Sequence, residues 1–303
     1  MRFPQLILVI VLSVLAASAT TSYINRATPP DGTSVTSATK AESAFDRVKR
    51  TGILRCGYYV FPPVTLRDPN TRALSGMGVD TIEQLLHGTG IKVEWAEEVD
   101  FGNWQAGLEA RRFDAVCTPM WPEASLAREA LFTRPILYSG INVYARGDDH
   151  RFDNNLAAIN DPSVTIVVIE GEGTAYTALN TFPKAKLLAL PQNAPGGSMA
   201  ESVVTKKADV MLWDENGVHD FLASNPNSIR NVAPDHPVKV MPFVLVTKLG
   251  DSTLREFLNV GLQSLEDTGI MNQLMDKWER VPGSFYRLAK PYVVPNVVNE
   301  DKP

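Results

Sequence analysis

The residues best suited to bind a small molecule lie where predicted strands end. The segment Leu54–Pro63 begins as a short apolar strand and continues as a turn that contains Tyr58, Tyr59 and Phe61. In an open α/β sheet, ligands bind at the carboxyl ends of the strands, and exposed rings stack on planar or cationic groups. The turn is therefore a predicted ligand site, with packing in the core as the alternative for each ring.

Two other predicted strands are also followed by residues that could contact a ligand. Thr118 closes one strand and is a candidate hydrogen-bonding group for a ligand, and Trp121 follows three residues later. The Trp121 indole either forms a wall of the pocket or caps the lobe as a structural residue. Asp214 follows a strand that ends at Trp213, where a carboxylate either contacts a ligand or caps the next helix.

A glycine-rich turn links a further predicted strand to a helix, with the sequence Glu170-Gly171-Glu172-Gly173-Thr174. Free backbone N–H groups and the helix dipole make such a helix start an anion-binding site. Thr174 adds a hydroxyl donor there. Glu170 and Glu172 place negative charge beside the same site, with solvated glutamates as the alternative.

Composition limits the class of protein. At 303 residues the chain is long enough for two compact lobes. A net charge of −5 and the lack of a Lys/Arg-rich run exclude a nucleic-acid-binding protein. The four His residues are scattered, and neither a His-Glu-x-x-His nor a Gly-x-Ser-x-Gly motif occurs. We therefore expect no catalytic residues, no metal site and no cofactor.

The N-terminus has the features of an export signal. Arg2 precedes an apolar run, and small residues close it at Ala19. Residues 1–19 are interpreted as a signal peptide, with a retained membrane anchor as the alternative. Residues 20–44 have the composition of a flexible leader, and residues 286–303 are predicted to form a tail.

The rest of the chain alternates between strand-like and helix-like segments. Strands are predicted at 54–57, 92–97, 113–118, 164–169, 186–190 and 209–213, and helices at 79–86, 104–110, 175–181, 199–206, 253–268 and 270–278. The segments 136–146 and 239–246 are predicted to be extended crossings. This alternation is typical of parallel sheets flanked by helices.

Several of these segments resemble the bacterial extracellular solute-binding proteins of family 3, which deliver polar amino acids and similar solutes to ABC importers. The resemblance covers about residues 45–280 and rests, in order, on Leu54-Arg55-Cys56-Gly57, Gly76-Met77-Gly78-Val79-Asp80, Phe113-Asp114-Ala115, Phe132-Thr133-Arg134-Pro135, Ala208–Asp214 and Leu262–Trp278. It implies the type II periplasmic binding protein fold, an α/β class with two Rossmann-like lobes joined by two hinge segments. The implied limits are 45–141 with 247–285 for lobe I, 147–238 for lobe II, and 142–146 with 239–246 for the hinge.

The resemblance also implies roles for individual residues. Phe61 and Phe101 are expected to sandwich the ligand, with Tyr59 beside them. Asp214 matches the acid that receives the ligand's amino group. Thr174, at the helix start, matches part of the signature that completes carboxylate binding.

One residue of the family pattern is missing. The pattern has an Arg that grips the α-carboxylate of an amino acid, and counting back from Phe132 places Leu126 at that position. Either the nearby Arg128 replaces it or the carboxylate clamp is absent. Because the acidic groups Glu172 and Asp214 are kept, the hypothesis is that the ligand is a basic amino acid, an amine or another cationic solute.

The two cysteines, Cys56 and Cys117, have two possible states. An oxidising compartment permits a disulfide, and the family fold places the two strands that carry them side by side. The alternative is a pair of buried thiols that pack as small hydrophobic groups.

Together these features predict a periplasmic, monomeric solute-binding protein. It would capture a small polar solute, an amino acid or a cationic amine, between its lobes and deliver it to an ABC permease in the inner membrane. Two alternatives stay open. One is a receptor tethered to the membrane by the N-terminal segment, and the other is a periplasmic dehydratase-like enzyme on the same fold.

Overall fold

The computed structural model describes residues 42–288, so the predicted signal peptide, most of the leader and most of the tail lie outside it. Within this range, strands β1 to β12 are Ile53–Tyr58, Leu66–Arg67, Leu74–Ser75, Lys92–Glu98, Ala115–Met120, Ala130–Phe132, Leu137–Arg146, Thr165–Ile169, Lys186–Leu190, Val210–Trp213, Ile229–Asn231 and Lys239–Lys248. Helices α1 to α8 are Ala44–Thr51, Met77–Leu86, Trp104–Glu109, Gly173–Thr181, Gly197–Val204, Glu215–Ser224, Ser252–Asp267 and Ile270–Trp278. None of these helices is long and apolar enough to cross a bilayer.

The main sheet has two halves that meet at its centre. In the first half β4, β1 and β5 are parallel, β12 runs antiparallel to β5, and β6 pairs antiparallel with β12. In the second half β9, β8 and β10 are parallel, β7 runs antiparallel to β10, and β11 pairs antiparallel with β7. The halves are joined where β12 pairs with β7, from Lys239 opposite Ile141 to Phe243 opposite Leu137. The predicted class, two α/β lobes linked by two crossing segments, is confirmed, whereas the limits of lobes and hinge stay predictions.

The position of each strand in the sheet explains its residue pattern. Strand β8 has the sequence Thr-Ile-Val-Val-Ile and is buried on both faces, as expected for a parallel strand covered by helices on each side. Strand β4 lies at the edge, and its residues alternate between exposed and half-buried. Helix α2 covers the first half with a buried face that includes Ile82, Leu85 and Leu86.

Two segments differ from the sequence prediction. Helix α1 begins at the end of the predicted leader, where the Ser43 hydroxyl accepts a hydrogen bond from the Asp46 N–H at 3.1 Å. The packing after α8, which lies within predicted lobe I up to residue 285, also extends into the first residue of the predicted tail. The Ser284 hydroxyl accepts from the Asn216 amide at 2.7 Å, and Tyr286 pairs with Tyr138 of β7 through two backbone hydrogen bonds. The end of the first lobe therefore packs against the second lobe and the crossing strand.

Cys56 on β1 and Cys117 on β5 form a disulfide between adjacent strands and are 61 positions apart along the chain. A cross-link over a loop of this size restricts the unfolded chain. We expect a Cys56→Ala/Cys117→Ala variant to lose about 2–4 kcal/mol of unfolding free energy. Guanidinium unfolding of both proteins, with and without reductant, measures this. Equal stability of the parent and the variant without reductant would contradict it. Reductant should lower the stability of the parent alone, because the variant has no disulfide to reduce.

Candidate functional site

A small cavity lies where strand ends from both lobes meet. Its volume is about 30 Å³, and its walls are Tyr59, Phe61, Phe101, Trp104, Met120, Trp121, Leu126, Gly171, Glu172, Gly173, Trp213 and Phe243. The first lobe contributes the ends of β1 and β5, and the second contributes the end of β10 and the turn between β8 and α4. This is the position at which ligands bind in open α/β sheets.

Four of the wall residues pack ring against ring and form what we term the aromatic cluster: Phe61, Trp121, Trp213 and Phe243. The Phe61 ring centroid lies 6.0 Å from those of Trp121 and Trp213, and 6.1 Å from that of Phe243. Two backbone hydrogen bonds of 2.8 Å between Phe61 and Thr65 hold the turn that presents the Phe61 ring. The cluster therefore joins the two lobes through side chains of both.

Two glycines allow the turn of the second lobe to approach this cluster. Gly171 has a φ of +80°, which a side chain would strain, and a Cβ on it would lie 3.3 Å from the Phe101 carbonyl oxygen. A Cβ on Gly173 would lie 3.2 Å from the Cβ of Trp121. The Gly-x-Gly spacing in the sequence therefore serves close contact between the lobes.

The Glu172 carboxylate occupies the start of helix α4. Its Oε2 accepts hydrogen bonds from the Thr174 N–H at 2.8 Å and from the Thr174 hydroxyl, and its side chain caps the helix. Glu172 is 3% exposed. Burial raises its pKa to about 7, against the opposing effect of these hydrogen bonds. The predicted anion-binding helix start thus already holds an acidic group of the protein itself.

Asp214 is the second buried acid. Its Oδ1 accepts a hydrogen bond from the Gly217 N–H at 3.0 Å and caps helix α6, whereas its Oδ2 is buried without a hydrogen-bond partner among the described residues. Burial raises the pKa of Asp214 to about 6. The pKa of Tyr59 is also raised, first by burial and then by the charges of Glu172 and Asp214. Both acids and the phenol therefore share one water-poor environment.

Three of the predicted contact residues are placed differently. The Thr118 hydroxyl accepts from the Tyr59 N–H and donates to the Tyr59 carbonyl, both at 3.1 Å, so it fixes the aromatic turn from beneath and does not line the cavity. The N–H and the hydroxyl of Thr174 both donate hydrogen bonds to Glu172. The ring of Tyr58 packs edge-on against Trp95, and Tyr58 is not a wall residue.

The position of the missing Arg is clear in the structure. Leu126 lies on a short 3-10 turn, Leu126–Arg128, and its side chain is part of the cavity wall. Arg128 is exposed at the end of that turn and is not a wall residue. No Lys or Arg occurs among the residues that line the cavity in the described part of the chain.

The structure brings together Tyr59, Phe61, Phe101, Trp121 and Glu172 at the cavity, whereas Asp214, the buried residue after the wall residue Trp213, is not part of the wall. Sequence reasoning missed four further wall residues, Trp104, Met120, Trp213 and Phe243. The rule that ligands bind at strand ends would have included Met120 and Trp213. No sequence signal marks Phe243, which lies within the crossing strand β12.

The two buried acids predict a particular pH dependence of stability. Their pKa values are higher in the folded protein, so the folded state binds more protons, and their contribution to stability is lost as pH rises from about 4 to about 7. Paired carboxylates such as Asp149 and Asp153 have lowered pKa values and act in the opposite direction at lower pH. The difference between proteins with and without Glu172 is therefore the informative quantity.

We expect Glu172→Gln to raise the melting temperature relative to the parent by several degrees more at pH 8 than at pH 5, since about 1 kcal/mol shifts it by about 2–4 °C in a domain of this size. The charge of Asp214 raises the pKa of Glu172, and the charge of Glu215 raises that of Asp214; both groups stay unchanged in the variant. Thermal unfolding at the two pH values measures the effect, with Glu170→Gln at the exposed neighbouring position as the control. A pH-independent difference would contradict the prediction.

Comparison with known proteins gives the chain a family and a fold. Residues 54–281 match the model of the bacterial extracellular solute-binding proteins, family 3. A probable amino-acid ABC transporter-binding protein of Haemophilus influenzae is 27% identical over 77% of this chain and 87% of its own length. A cyclohexadienyl dehydratase of Pseudomonas aeruginosa is 24% identical over 78% of this chain and 86% of its own length.

Among solved structures, an ancestral amino acid-binding protein described as a precursor of cyclohexadienyl dehydratase is similar, with a TM-score of 0.66 and 22% identity. The match covers 78% of this chain and 99% of the ancestral protein. This likeness confirms the predicted fold, that of the type II periplasmic amino-acid-binding proteins.

Proposed function

The chain belongs to the bacterial extracellular solute-binding proteins of family 3, and on that premise we propose that it is the periplasmic binding component of an ABC importer. It captures a small polar solute, an amino acid or an amine, between its two lobes as a monomer and presents it to a permease in the inner membrane. The observation that carries this proposal is the cavity at the strand ends, which is walled by side chains of both lobes. Closure of two domains around a ligand in this way is typical of periplasmic binding proteins.

Binding without turnover is the favoured activity, although one observation points toward catalysis. Glu172 is a buried carboxyl group with a pKa near neutrality, as a general acid requires, and one relative is a dehydratase. The dehydratase-type substrates prephenate and arogenate carry carboxylates, and the described cavity wall offers no Lys or Arg to bind them. We therefore expect no dehydration of either compound by the purified protein, and turnover would favour the enzyme.

The N-terminal segment decides between a free and a tethered protein. Residues 1–19 precede the described range and carry the sequence features of a cleaved signal peptide. We propose cleavage and release into the periplasm. Sequencing the N-terminus of the mature protein tests this, because a retained apolar run would favour the tethered receptor.

The binding function itself is tested by calorimetric titration of the purified protein with the common amino acids and with short amines. We expect one-to-one binding of at least one of these solutes, accompanied by compaction in small-angle X-ray scattering as the lobes close. Absence of binding across both sets would overturn the proposal.

A further inference from the structure

We infer that the solute is an organic ammonium ion that carries no carboxylate group. This inference rests on the proposed function, because it specifies the chemical class of solute for the same cavity. Three features carry it: the occupied helix start, the aromatic walls, and the unpaired acid beside them.

The first feature removes the usual place for a ligand carboxylate. The N–H and hydroxyl of Thr174 already donate to Glu172, whose carboxylate is buried at the start of helix α4. A ligand carboxylate would have to displace this group or lie against it in a medium where like charges repel strongly. Leu126, in the cavity wall, supplies no compensating positive charge. An anionic group therefore has no favourable position here.

The second feature favours a cation. The rings of the aromatic cluster meet at centroid distances of 5.6–6.1 Å, and Tyr59 and Phe101 add a further pair at 5.5 Å. Aromatic faces attract ammonium groups, and more strongly when both partners are desolvated. The aromatic wall thus offsets the desolvation cost of an ammonium group. The ligand needs no anionic group of its own for this.

The third feature is an acceptor without a donor. The Asp214 side chain is 2% exposed, and its Oδ2 has no hydrogen-bond partner in residues 42–288. Buried acids are ordinarily paired, because an unpaired buried charge is costly. Glu172 and Asp214 interact with each other and have no cationic side chain in the cavity wall to share. An ammonium group in the cavity, whose wall includes Glu172 and the chain neighbour Trp213, would supply the missing positive charge.

The size of the cavity agrees with a small head group. A volume of about 30 Å³ holds roughly two water-sized groups. An ammonium group with its first carbon is of this size, whereas a complete amino acid requires the rings to move apart. A longer amine would place its remaining chain along the opening between the lobes.

The test compares pairs of compounds that differ only by loss of the carboxylate: ethylamine with alanine, ethanolamine with serine, and putrescine with ornithine. Each is titrated calorimetrically into the purified protein at pH 8. We expect at least one amine to bind tenfold or more tightly than its amino acid. We also expect that amine to release protons near pH 6.5, measured in buffers of different ionisation enthalpy, because a bound cation favours the charged forms of Glu172 and Asp214.

Two outcomes separate the inference from the proposed function. If an amino acid binds and every amine is weaker than its partner, the inference is overturned and the solute-binding function stands. If no amine and no common amino acid binds, the proposed function fails as well. In the supporting case, Glu172→Gln should weaken amine binding tenfold or more, whereas Glu170→Gln, which removes an exposed charge two residues away, should leave it unchanged.

Discussion

Replacing Leu126 with arginine is expected to abolish amine binding and to favour the matching amino acid. Leu126 already faces the cavity, so a guanidinium at this position would enter a space that contains the buried Glu172. The new charge would pair with Glu172 and repel an ammonium ligand. Because like charges in a desolvated site cost several kcal/mol, amine affinity should fall at least about 100-fold, and the affinity for an amino acid should rise.

Calorimetry with ethylamine and alanine measures both effects in the Leu126→Arg protein. Ala127→Arg is the matched control, since Ala127 is the next residue of the same turn, is exposed and would carry the same added charge. The control should keep the affinities of the parent. Unchanged ethylamine binding by a folded Leu126→Arg protein would show that the ammonium group does not lie near this wall.

Replacing Asp214 with asparagine is expected to weaken amine binding by about 100-fold or more, because removal of one partner from a buried charged pair costs about 3–5 kcal/mol. Asparagine is also a good N-cap, so the hydrogen bond from the Gly217 N–H to position 214 is retained. The substitution therefore removes the charge without removing the helix cap. Its loss should appear in affinity, whereas the melting temperature should not fall, because the substitution removes a buried charge.

Titration of the Asp214→Asn protein with the amine that binds the parent measures this loss. Asp235→Asn, at an exposed site in the same lobe, makes the same change of charge and serves as the control. A similar loss of affinity in the control would mean that the change in net charge, and not the position of Asp214, causes the effect. Retained affinity in Asp214→Asn would exclude a direct role for the unpaired Oδ2.

Local sequence patterns are sufficient to predict most of the strands and helices. The alternation of β-branched and amphipathic segments identified the long strands and most helices, because burial in a parallel sheet demands apolar runs. The crossing strands were placed at 136–146 and 239–246, and the structure has them at Leu137–Arg146 and Lys239–Lys248. Helix α1 was missed because it has only eight residues, and its cap signals, Ser43 and Gly52, are weak on their own.

The sequence alone does not predict the direction in which each side chain points. Arg128 and Leu126 are two residues apart on one turn, and only the packed turn shows that the leucine faces the cavity and the arginine faces solvent. Thr118 lies at a strand end, as a ligand-binding residue would, yet its hydroxyl already bonds the backbone of Tyr59 and the hydroxyl of Thr65. The direction and the hydrogen bonds of such side chains depend on which residues from distant parts of the chain pack against them.

The sequence alone determined the α/β class, the aromatic turn at Leu54–Pro63 and the absence of an Arg at Leu126, because each follows from residue type and local spacing. The tertiary structure decided that Glu172 occupies the helix start, that Asp214 Oδ2 finds no donor among residues 42–288, and that Phe243 completes the aromatic cluster. The physical reason is burial. Whether a carboxylate is solvated or desolvated, and whether its oxygens find donors, depends on the closure of two lobes that are far apart in the chain.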